Sequence, residues 1–224
     1  MEIRTGQHSQ SFTTEVTTKV TADYFLYLPT EYAASDDDWP LVLFLHGAGE
    51  RGDDLNKVAV HGPPMRVRKG EGEFPFILVS PQCPERDWWT SPLQVATLNA
   101  LLDDVVATYR VDRQRIYLTG LSMGGFGTFA LAAVYPDRFA AIAPVCGGGE
   151  PGTAKQIAHI PAWVFHGARD DVVKPERSQE MVDALKAAGA DVTFTLYPEA
   201  NHNSWAETYN NPDLYTWLLR QRMK

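Results

Sequence analysis

A glycine–serine–glycine pattern in the middle of the chain has the spacing of a nucleophile. Gly120-Leu121-Ser122-Met123-Gly124 follows a short apolar run at 116–119 and precedes a small, apolar stretch at 123–134. In a strand–serine–helix turn the backbone bends sharply and exposes the serine hydroxyl above the sheet, while the glycines let neighbouring backbone approach closely. We therefore predict that Ser122 is a nucleophile, against the alternative of a serine that caps a buried helix.

A serine hydroxyl is a weak nucleophile and needs a general base. Of the six histidines, His202 follows the last predicted strand, which fits the chain order nucleophile, acid, base; the alternative is a surface loop histidine. His46 and His166 each precede a glycine at a predicted strand end, and neither has the spacing of a metal ligand. We expect both to be buried and to anchor their loops through backbone hydrogen bonds, and the chemistry requires no metal or cofactor.

The acid that orients the base should lie between Ser122 and His202 on a loop that faces the site. Only Asp170 and Asp171 directly follow a predicted core strand, and adjacent side chains point in different directions, so one of them can serve. We favour Asp170, which leaves Asp171 as a carboxylate that shapes the loop or caps a helix.

The loop after the first core strand should supply half of an oxyanion hole. Its sequence is His46-Gly47-Ala48-Gly49, and we expect the Ala48 N–H group to act together with the N–H of Met123, the residue after the nucleophile. An ion pair among Glu50, Arg51 and Asp53 is expected to fix this loop. Trp88, Trp89 and Trp205 are candidates for substrate contact, with ordinary packing as the alternative.

Strand and helix patterns alternate along the chain. Continuous apolar runs, typical of strands buried on both faces, occur at 40–45, 76–79, 116–119, 141–145 and 162–165, and a more alternating run at 192–197 predicts an edge strand. Helical spacing is found at 93–109, 123–134, 175–188 and 211–223. The order predicts an α/β fold, with a mostly parallel sheet and helices on both faces. Ligands of such sheets bind at the carboxyl ends of the strands, where all the candidate residues fall.

Composition excludes several classes of protein. The chain has 224 residues, a net charge of −8 and 44% hydrophobic residues, which is ordinary for a globular protein and unfavourable for nucleic-acid binding. No apolar run approaches the roughly 20 residues of a membrane span. The amino terminus lacks a signal peptide, which predicts a cytoplasmic protein, or a secreted one if such a peptide has been removed. Cys83 and Cys146 are expected to be buried and unpaired.

Together these segments resemble the α/β-hydrolase superfamily over about residues 14–221. The likeness is to lidless serine esterases grouped with feruloyl esterases, polyhydroxybutyrate depolymerase-like enzymes and phospholipase/carboxylesterase or "predicted peptidase" proteins. It is carried by residues 46–53, 80–84, 111–125 and 201–205, followed by Tyr209 and the helix at 212–219. The resemblance implies a Ser122–His202–Asp170 catalytic triad and ester hydrolysis through an acyl-enzyme. Dienelactone hydrolases are similar in architecture but place cysteine at the nucleophile, so lactone ring opening is not expected.

Chain length then constrains the substrate. We expect one α/β-hydrolase domain over 1–224, with an amino-terminal hairpin at 13–28 and a catalytic core at 40–224. Only 16 residues separate Val145 from Ala162, where many lipases insert a lid, so an open site is predicted. The expected function is hydrolysis of small short-chain or aryl esters of the acetyl or feruloyl type. The alternatives are a peptidase, amidase or thioesterase with the same triad, and a non-catalytic binding protein.

Overall fold

Seven strands form one sheet in the computed structural model, which describes residues 11–14 and 17–223. The strands are β1 (Tyr24–Tyr27), β2 (Trp39–Leu45), β3 (Ile77–Pro81), β4 (Val111–Leu121), β5 (Ala141–Val145), β6 (Ala162–Gly167) and β7 (Val192–Tyr197). Their order in the sheet is β1-β3-β2-β4-β5-β6-β7. Only β1 runs antiparallel to its neighbour among the described strands, so the sheet is mostly parallel, as predicted.

Helices cover both faces of this sheet. They are α1 (Gly62–Arg68), α2 (Pro92–Thr108), α3 (Met123–Val134), α4 (Ala154–Ile157), α5 (Glu176–Ala187), α6 (Trp205–Asn210) and α7 (Pro212–Arg220). Short 3-10 helices lie at Thr30–Ala34, Ala48–Glu50, Leu55–Val60, Pro136–Arg138, Pro151–Thr153 and His202–Ser204. Among the described residues, no helix is both long and apolar enough to cross a membrane.

The core is divided by the sheet into two layers. Helices α2, α3, α4 and α5 bury their apolar side chains in one layer, which includes Leu98, Phe129 and Met181. Helices α6 and α7 bury Tyr209, Leu214 and Leu218 in the other layer. Strands that are apolar at every position suit this arrangement because each of their faces meets a helix layer. The α/β fold predicted from the alternating pattern, with a mostly parallel sheet and helices on both faces, is therefore confirmed.

The hairpin expected at 13–28 is not formed by the described part of that segment. Residues 13–14 and 17–23 carry no strand, residues 15–16 lie outside the described residues, and β1 occupies only Tyr24–Tyr27. Tyr24 pairs with Pro81 and Tyr27 with Leu78, so the partner of β1 is β3. The Thr- and Val-rich composition of this segment favours a β-strand, but it does not specify the strand with which the segment will pair.

The carboxyl ends of the parallel strands form the edge on which the candidate residues meet. Leu45 of β2 pairs with Gly120 of β4, and Leu121 pairs with Val145 of β5, so the loops after these strands emerge side by side. The connection at 146–161 contains only one 3-10 turn and the four-residue helix α4. It forms no lid over this edge, as expected from its length.

Candidate active site

Ser122 occupies a strained turn between β4 and α3. Its backbone has φ 52° and ψ −114°, a conformation that non-glycine residues rarely adopt and that is associated with functional sites. A Cβ atom added at Gly124 would lie 2.0 Å from the Leu45 carbonyl oxygen, and one added at Gly120 would lie 2.4 Å from the carbonyl oxygen of Gly124. The turn is possible because both positions lack a side chain. It leaves the Ser122 side chain half-buried at the carboxyl edge of the sheet.

Three loops bring Ser122, His202 and Asp170 into one hydrogen-bonded chain. The Ser122 Oγ lies 2.9 Å from the His202 Nε2. The His202 Nδ1 lies 2.7 Å from the Asp170 Oδ2. A carboxylate can only accept, so Nδ1 carries the imidazole proton and Nε2 is free to accept the proton of the serine hydroxyl. These three residues follow β4, β7 and β6, which is the arrangement that the sequence predicts.

Backbone groups hold the Asp170 carboxylate in place. Its Oδ1 accepts hydrogen bonds of 2.9 Å from the N–H groups of both Val172 and Val173. Burial alone would raise the pKa of Asp170, but the hydrogen bonds with His202, Val173 and Val172 outweigh it, so its pKa lies below the usual value. Asp171 is exposed to solvent. The side chain that faces His202 is therefore that of Asp170.

His166 contacts the Asp170 side chain, and the sequence did not reveal this contact. Its Nε2 donates to the Val173 carbonyl oxygen at 2.9 Å, which is the kind of loop-anchoring bond expected, and it also lies 3.1 Å from the Asp170 Oδ2. Burial lowers the pKa of His166, which keeps it neutral. The only sequence signal for this contact was the four-residue separation of His166 and Asp170 around a strand end.

The 3-10 helix Ala48–Glu50 lies against the turn at Ser122. A Cβ atom added at Gly47 would approach the Leu121 side chain within 2.8 Å, and one at Gly124 would approach the His46 carbonyl oxygen within 2.9 Å. Ala48 and Met123 are each the first residue of a helix, where a backbone N–H has no partner inside the helix. Neither N–H group has a partner within its own helix, so both stay candidates for the two donors of an oxyanion hole.

Two side chains, those of His46 and Arg51, make hydrogen bonds that hold this loop. The His46 Nε2 accepts the N–H of Cys83 at 3.0 Å, and its Nδ1 donates to the Gly47 carbonyl oxygen at 2.6 Å, as expected of a buried anchor. Burial lowers the pKa of His46 to about 4. The Arg51 Nε donates to the Ala48 carbonyl oxygen at 2.9 Å, and its guanidinium carbon lies 4.8 Å from the centroid of the Trp88 ring. Arg51 therefore holds the loop through a carbonyl group and an aromatic ring, and the predicted ion pair of Arg51 with Glu50 and Asp53 is not formed.

The three tryptophans have different environments. Trp89 is only 1% exposed and donates its Nε1–H to the His46 carbonyl oxygen, so the expectation that it contacts substrate is wrong: its ring is packed beneath the loop. Trp88 is 51% exposed to solvent. The Trp205 ring centroid lies 5.2 Å from that of His202 and 5.3 Å from that of His61. Trp88 and Trp205 remain candidates for substrate contact.

Both cysteines are free and buried, as predicted. Burial raises the pKa of each thiol to about 12, so neither is a thiolate at neutral pH. Since the thiolate is the reactive form of cysteine, Ser122 has no competing cysteine nucleophile within the described site.

A comparison with family models matches residues 85–215 to the dienelactone hydrolase family, which is more than half of the chain. The matched segment contains Ser122, Asp170 and His202. Where the resemblance to dienelactone hydrolases implies a cysteine nucleophile, this chain carries Ser122.

Relatives of this chain include esterases. A bifunctional acetylxylan esterase/xylanase of Neocallimastix patriciarum is 25% identical over 87% of this chain and 28% of its own length. A probable feruloyl esterase C of Aspergillus niger is 25% identical over 83% of this chain and 69% of its own length. The chain spans less than half the length of several curated relatives that it matches. Among solved structures, a thermostable esterase matches with a TM-score of 0.78 and 33% identity, over 89% of this chain and 59% of that one.

Proposed function

The chain belongs to the dienelactone hydrolase family, and from this premise we propose that it is a serine carboxylic-ester hydrolase that acts through an acyl-enzyme. We propose as substrates small short-chain or aryl esters of the acetyl or feruloyl type. The observation that carries the proposal is the continuous chain from Ser122 Oγ through His202 to Asp170, with separations of 2.9 Å and 2.7 Å. Esterases among the relatives support the reaction class.

Acylation follows from this geometry. The Ser122 Oγ attacks the ester carbonyl carbon while His202 Nε2 takes the hydroxyl proton. The carbonyl oxygen becomes negatively charged and accepts hydrogen bonds from the N–H groups of Ala48 and Met123. Collapse of this intermediate breaks the bond to the alcohol oxygen, which takes the proton from His202. Ser122 is left as an ester of the substrate's acid.

Deacylation repeats these steps with water. His202 Nε2 removes a proton from a water molecule, and the resulting oxygen attacks the acyl carbon. The same two N–H groups hold the second oxyanion. The bond to Ser122 breaks, its oxygen recovers the proton from His202, and the carboxylic acid leaves. Asp170 stays ionised throughout and stabilises the imidazolium, in line with its lowered pKa.

The proposal is tested by removal of the nucleophile. Ser122→Ala should lower kcat on p-nitrophenyl acetate by at least about 10⁴-fold, because the hydroxyl that forms the acyl-enzyme is gone. A fluorophosphonate probe should label the wild-type protein once, at Ser122, as read by peptide mass analysis. Ser35→Ala is a matched control because Ser35 precedes the opposite, amino end of β2.

Other outcomes would point elsewhere. Activity retained by Ser122→Ala would exclude Ser122 as the nucleophile. Absence of both labelling and hydrolysis in the wild-type protein would favour a binding protein without catalysis. Matched p-nitrophenyl ester, thioester and p-nitroanilide substrates separate the esterase from a thioesterase or amidase, and we expect the ester to react fastest.

A further inference from the structure

Two histidines share one oxygen of the Asp170 carboxylate. The His202 Nδ1 lies 2.7 Å from Oδ2 and donates to it, as the proposed reaction requires. The His166 Nε2 lies 3.1 Å from the same oxygen, and the side chains of His166 and Asp170 are both fully buried. The steps of acylation and deacylation use only His202. His166 is therefore a buried titratable group that contacts the acid and has no role in those steps.

The groups around His166 determine which of its nitrogens carries the proton. Its Nε2 faces the Asp170 carboxylate and the Val173 carbonyl oxygen, and neither of these can donate, so the proton lies on Nε2. Burial lowers the pKa of His166, so the ring is neutral and its Nδ1 is an acceptor. The buried hydroxyl of Ser178 lies 2.7 Å from Nδ1 and is the donor that fits it. Ser178 thus selects the tautomer that directs an N–H at Asp170, as Asp170 does for His202.

With His166 included, the Asp170 carboxylate accepts four hydrogen bonds. Two backbone N–H groups bond Oδ1, and two imidazole N–H groups bond Oδ2. A carboxylate has about four acceptor sites, so all of them are used. Of these four donors, two lie on the loop that carries Asp170 and one is the base itself, whereas His166 belongs to strand β6. His166 is thus the donor that ties the carboxylate to the sheet.

Ser178 extends this chain of contacts to the helix that follows the nucleophile. Its Oγ lies 2.9 Å from the carbonyl oxygen of Gly147, in the loop after β5. A Cβ atom added at Gly147 would lie 2.5 Å from the carbonyl carbon of Gly125, so the loop touches the backbone of the first turn of α3. Buried contacts therefore connect the acid to the helix after Ser122 by a route that does not pass through His202.

We propose that His166 and Ser178 are positioning residues: through the Asp170 carboxylate they hold His202 at the distance from Ser122 at which proton transfer occurs. This inference rests on the proposed function, and neither residue is assigned a contact with the substrate. Without the N–H of His166, one acceptor site of Oδ2 loses its donor and the carboxylate is free to rotate. A displacement of catalytic groups by about 1 Å can cost about 100-fold in rate. The effect should therefore fall on kcat, whereas KM, which depends on groups that touch the substrate, should be unchanged.

Two substitutions of similar size separate the hydrogen bond from packing. His166→Met removes the donor and should lower kcat on p-nitrophenyl acetate by about 10- to 100-fold, with KM changed by less than about 2-fold. His166→Gln retains amide N–H groups that can bond both Asp170 and Val173, and its kcat should stay within about 5-fold of the wild-type value. Rescue by glutamine and not by methionine is the result expected of a positioning hydrogen bond.

A second position tests the same chain of contacts. Ser178→Ala removes the donor to His166 Nδ1 and should lower kcat by about 5- to 10-fold, again without a change in KM. Gln179→Ala, at the next and exposed position of α5, is the matched control and should change neither parameter. Thermal unfolding shows whether each variant is folded, and Ser178→Ala decides the proposal if His166→Met is not.

A double-mutant cycle tests whether these residues act through the acid. In the background of Asp170→Asn, His166→Met or Ser178→Ala should lower kcat further by less than about 2-fold, because the carboxylate that they position is absent. Additive losses, equal losses in the Met and Gln variants, or a rise in KM in place of a fall in kcat would overturn the inference. Unchanged kcat in the His166 and Ser178 variants would overturn it alone, whereas a wild-type protein without esterase activity would overturn the proposed function as well.

Discussion

At the scale of residues, the site depends on which of two adjacent carboxylates faces the imidazole. Asp170 is 2% exposed and accepts hydrogen bonds from His202 and from two backbone N–H groups, whereas Asp171 is exposed. Asp170 accepts hydrogen bonds on both carboxylate oxygens and is therefore fixed in position. Its charge stabilises the imidazolium that forms on His202 during proton transfer. The neighbouring carboxylate is solvated and has no such effect.

Substitution of the two aspartates one at a time tests this difference. Asp170→Asn should lower kcat by about 10³- to 10⁴-fold, because an amide can donate to His202 Nδ1 and so favour the wrong tautomer. Asp171→Asn, the matched control one residue away, should change kcat by less than about 2-fold. Steady-state kinetics on p-nitrophenyl acetate measures both. Comparable losses in the two variants would contradict the assignment of Asp170 as the acid.

At the scale of elements, the turn at Ser122 requires β2, β4 and α3 to approach one another at backbone distance. The Cβ of any residue other than glycine at position 124 would overlap the Leu45 carbonyl group. The two strands resist displacement, because Leu45 and Gly120 are paired within the sheet. The pairing of two central strands thus determines the position of the nucleophile, and the strain at Ser122 is maintained by the elements around it.

A single methyl group should therefore disturb the turn. Gly124→Ala should lower the free energy of unfolding by at least about 2 kcal/mol, since relief of a 2.0 Å approach to the Leu45 carbonyl oxygen requires β2 or α3 to move. Gly152→Ala adds the same methyl group where no atom lies within 4 Å, and should change stability by less than about 0.5 kcal/mol. Urea denaturation measures both variants. Equal stabilities would show that the helix adjusts without cost.

At the scale of the whole molecule, contacts between segments distant in sequence bury two histidines: His46 lies against Cys83 and Trp89, and His166 lies against Ser178 of α5. His46 is 1% exposed and His166 is fully buried. Burial lowers the pKa of both imidazoles, that of His46 to about 4. A folded-state pKa below the usual value means that the unfolded chain binds more protons than the folded protein between these two values. Folding is therefore opposed progressively as the pH falls through that range.

The stability of the protein should fall as the pH is lowered from about 6.5 to about 4. The shift of His46 corresponds to a loss of about 3 kcal/mol across the range, at about 1.4 kcal/mol per pH unit. Guanidinium denaturation of the wild-type protein and of His46→Gln at several pH values measures the slope. We expect the free energy of unfolding to fall less steeply with decreasing pH in His46→Gln than in the wild-type protein. Titration of His166 should account for part of the pH dependence that remains. Identical slopes would mean that His46 titrates normally in the folded protein.

The sequence by itself determined the features that depend on nearby residues. The apolar run at 141–145 coincides with β5, because a strand covered by helices on both faces must be apolar. The more alternating run at 192–197 coincides with β7, which lies at the edge of the sheet as predicted. The glycines around Ser122 and the position of His202 after the last strand likewise predicted which side chains would meet. Such patterns are local, and turn chemistry and periodicity act over a few residues.

Only the tertiary structure decided which partner each of the remaining groups would find. β1 pairs with a strand more than 50 residues later, so its composition could not exclude the hairpin. The indole of Trp89 donates to the backbone of His46, and Arg51 bonds the Ala48 carbonyl oxygen and stacks on Trp88, so neither has the partner that its sequence neighbours indicated. Burial and pairing result from contacts between distant segments, and these form only when the whole sheet and both helix layers are assembled.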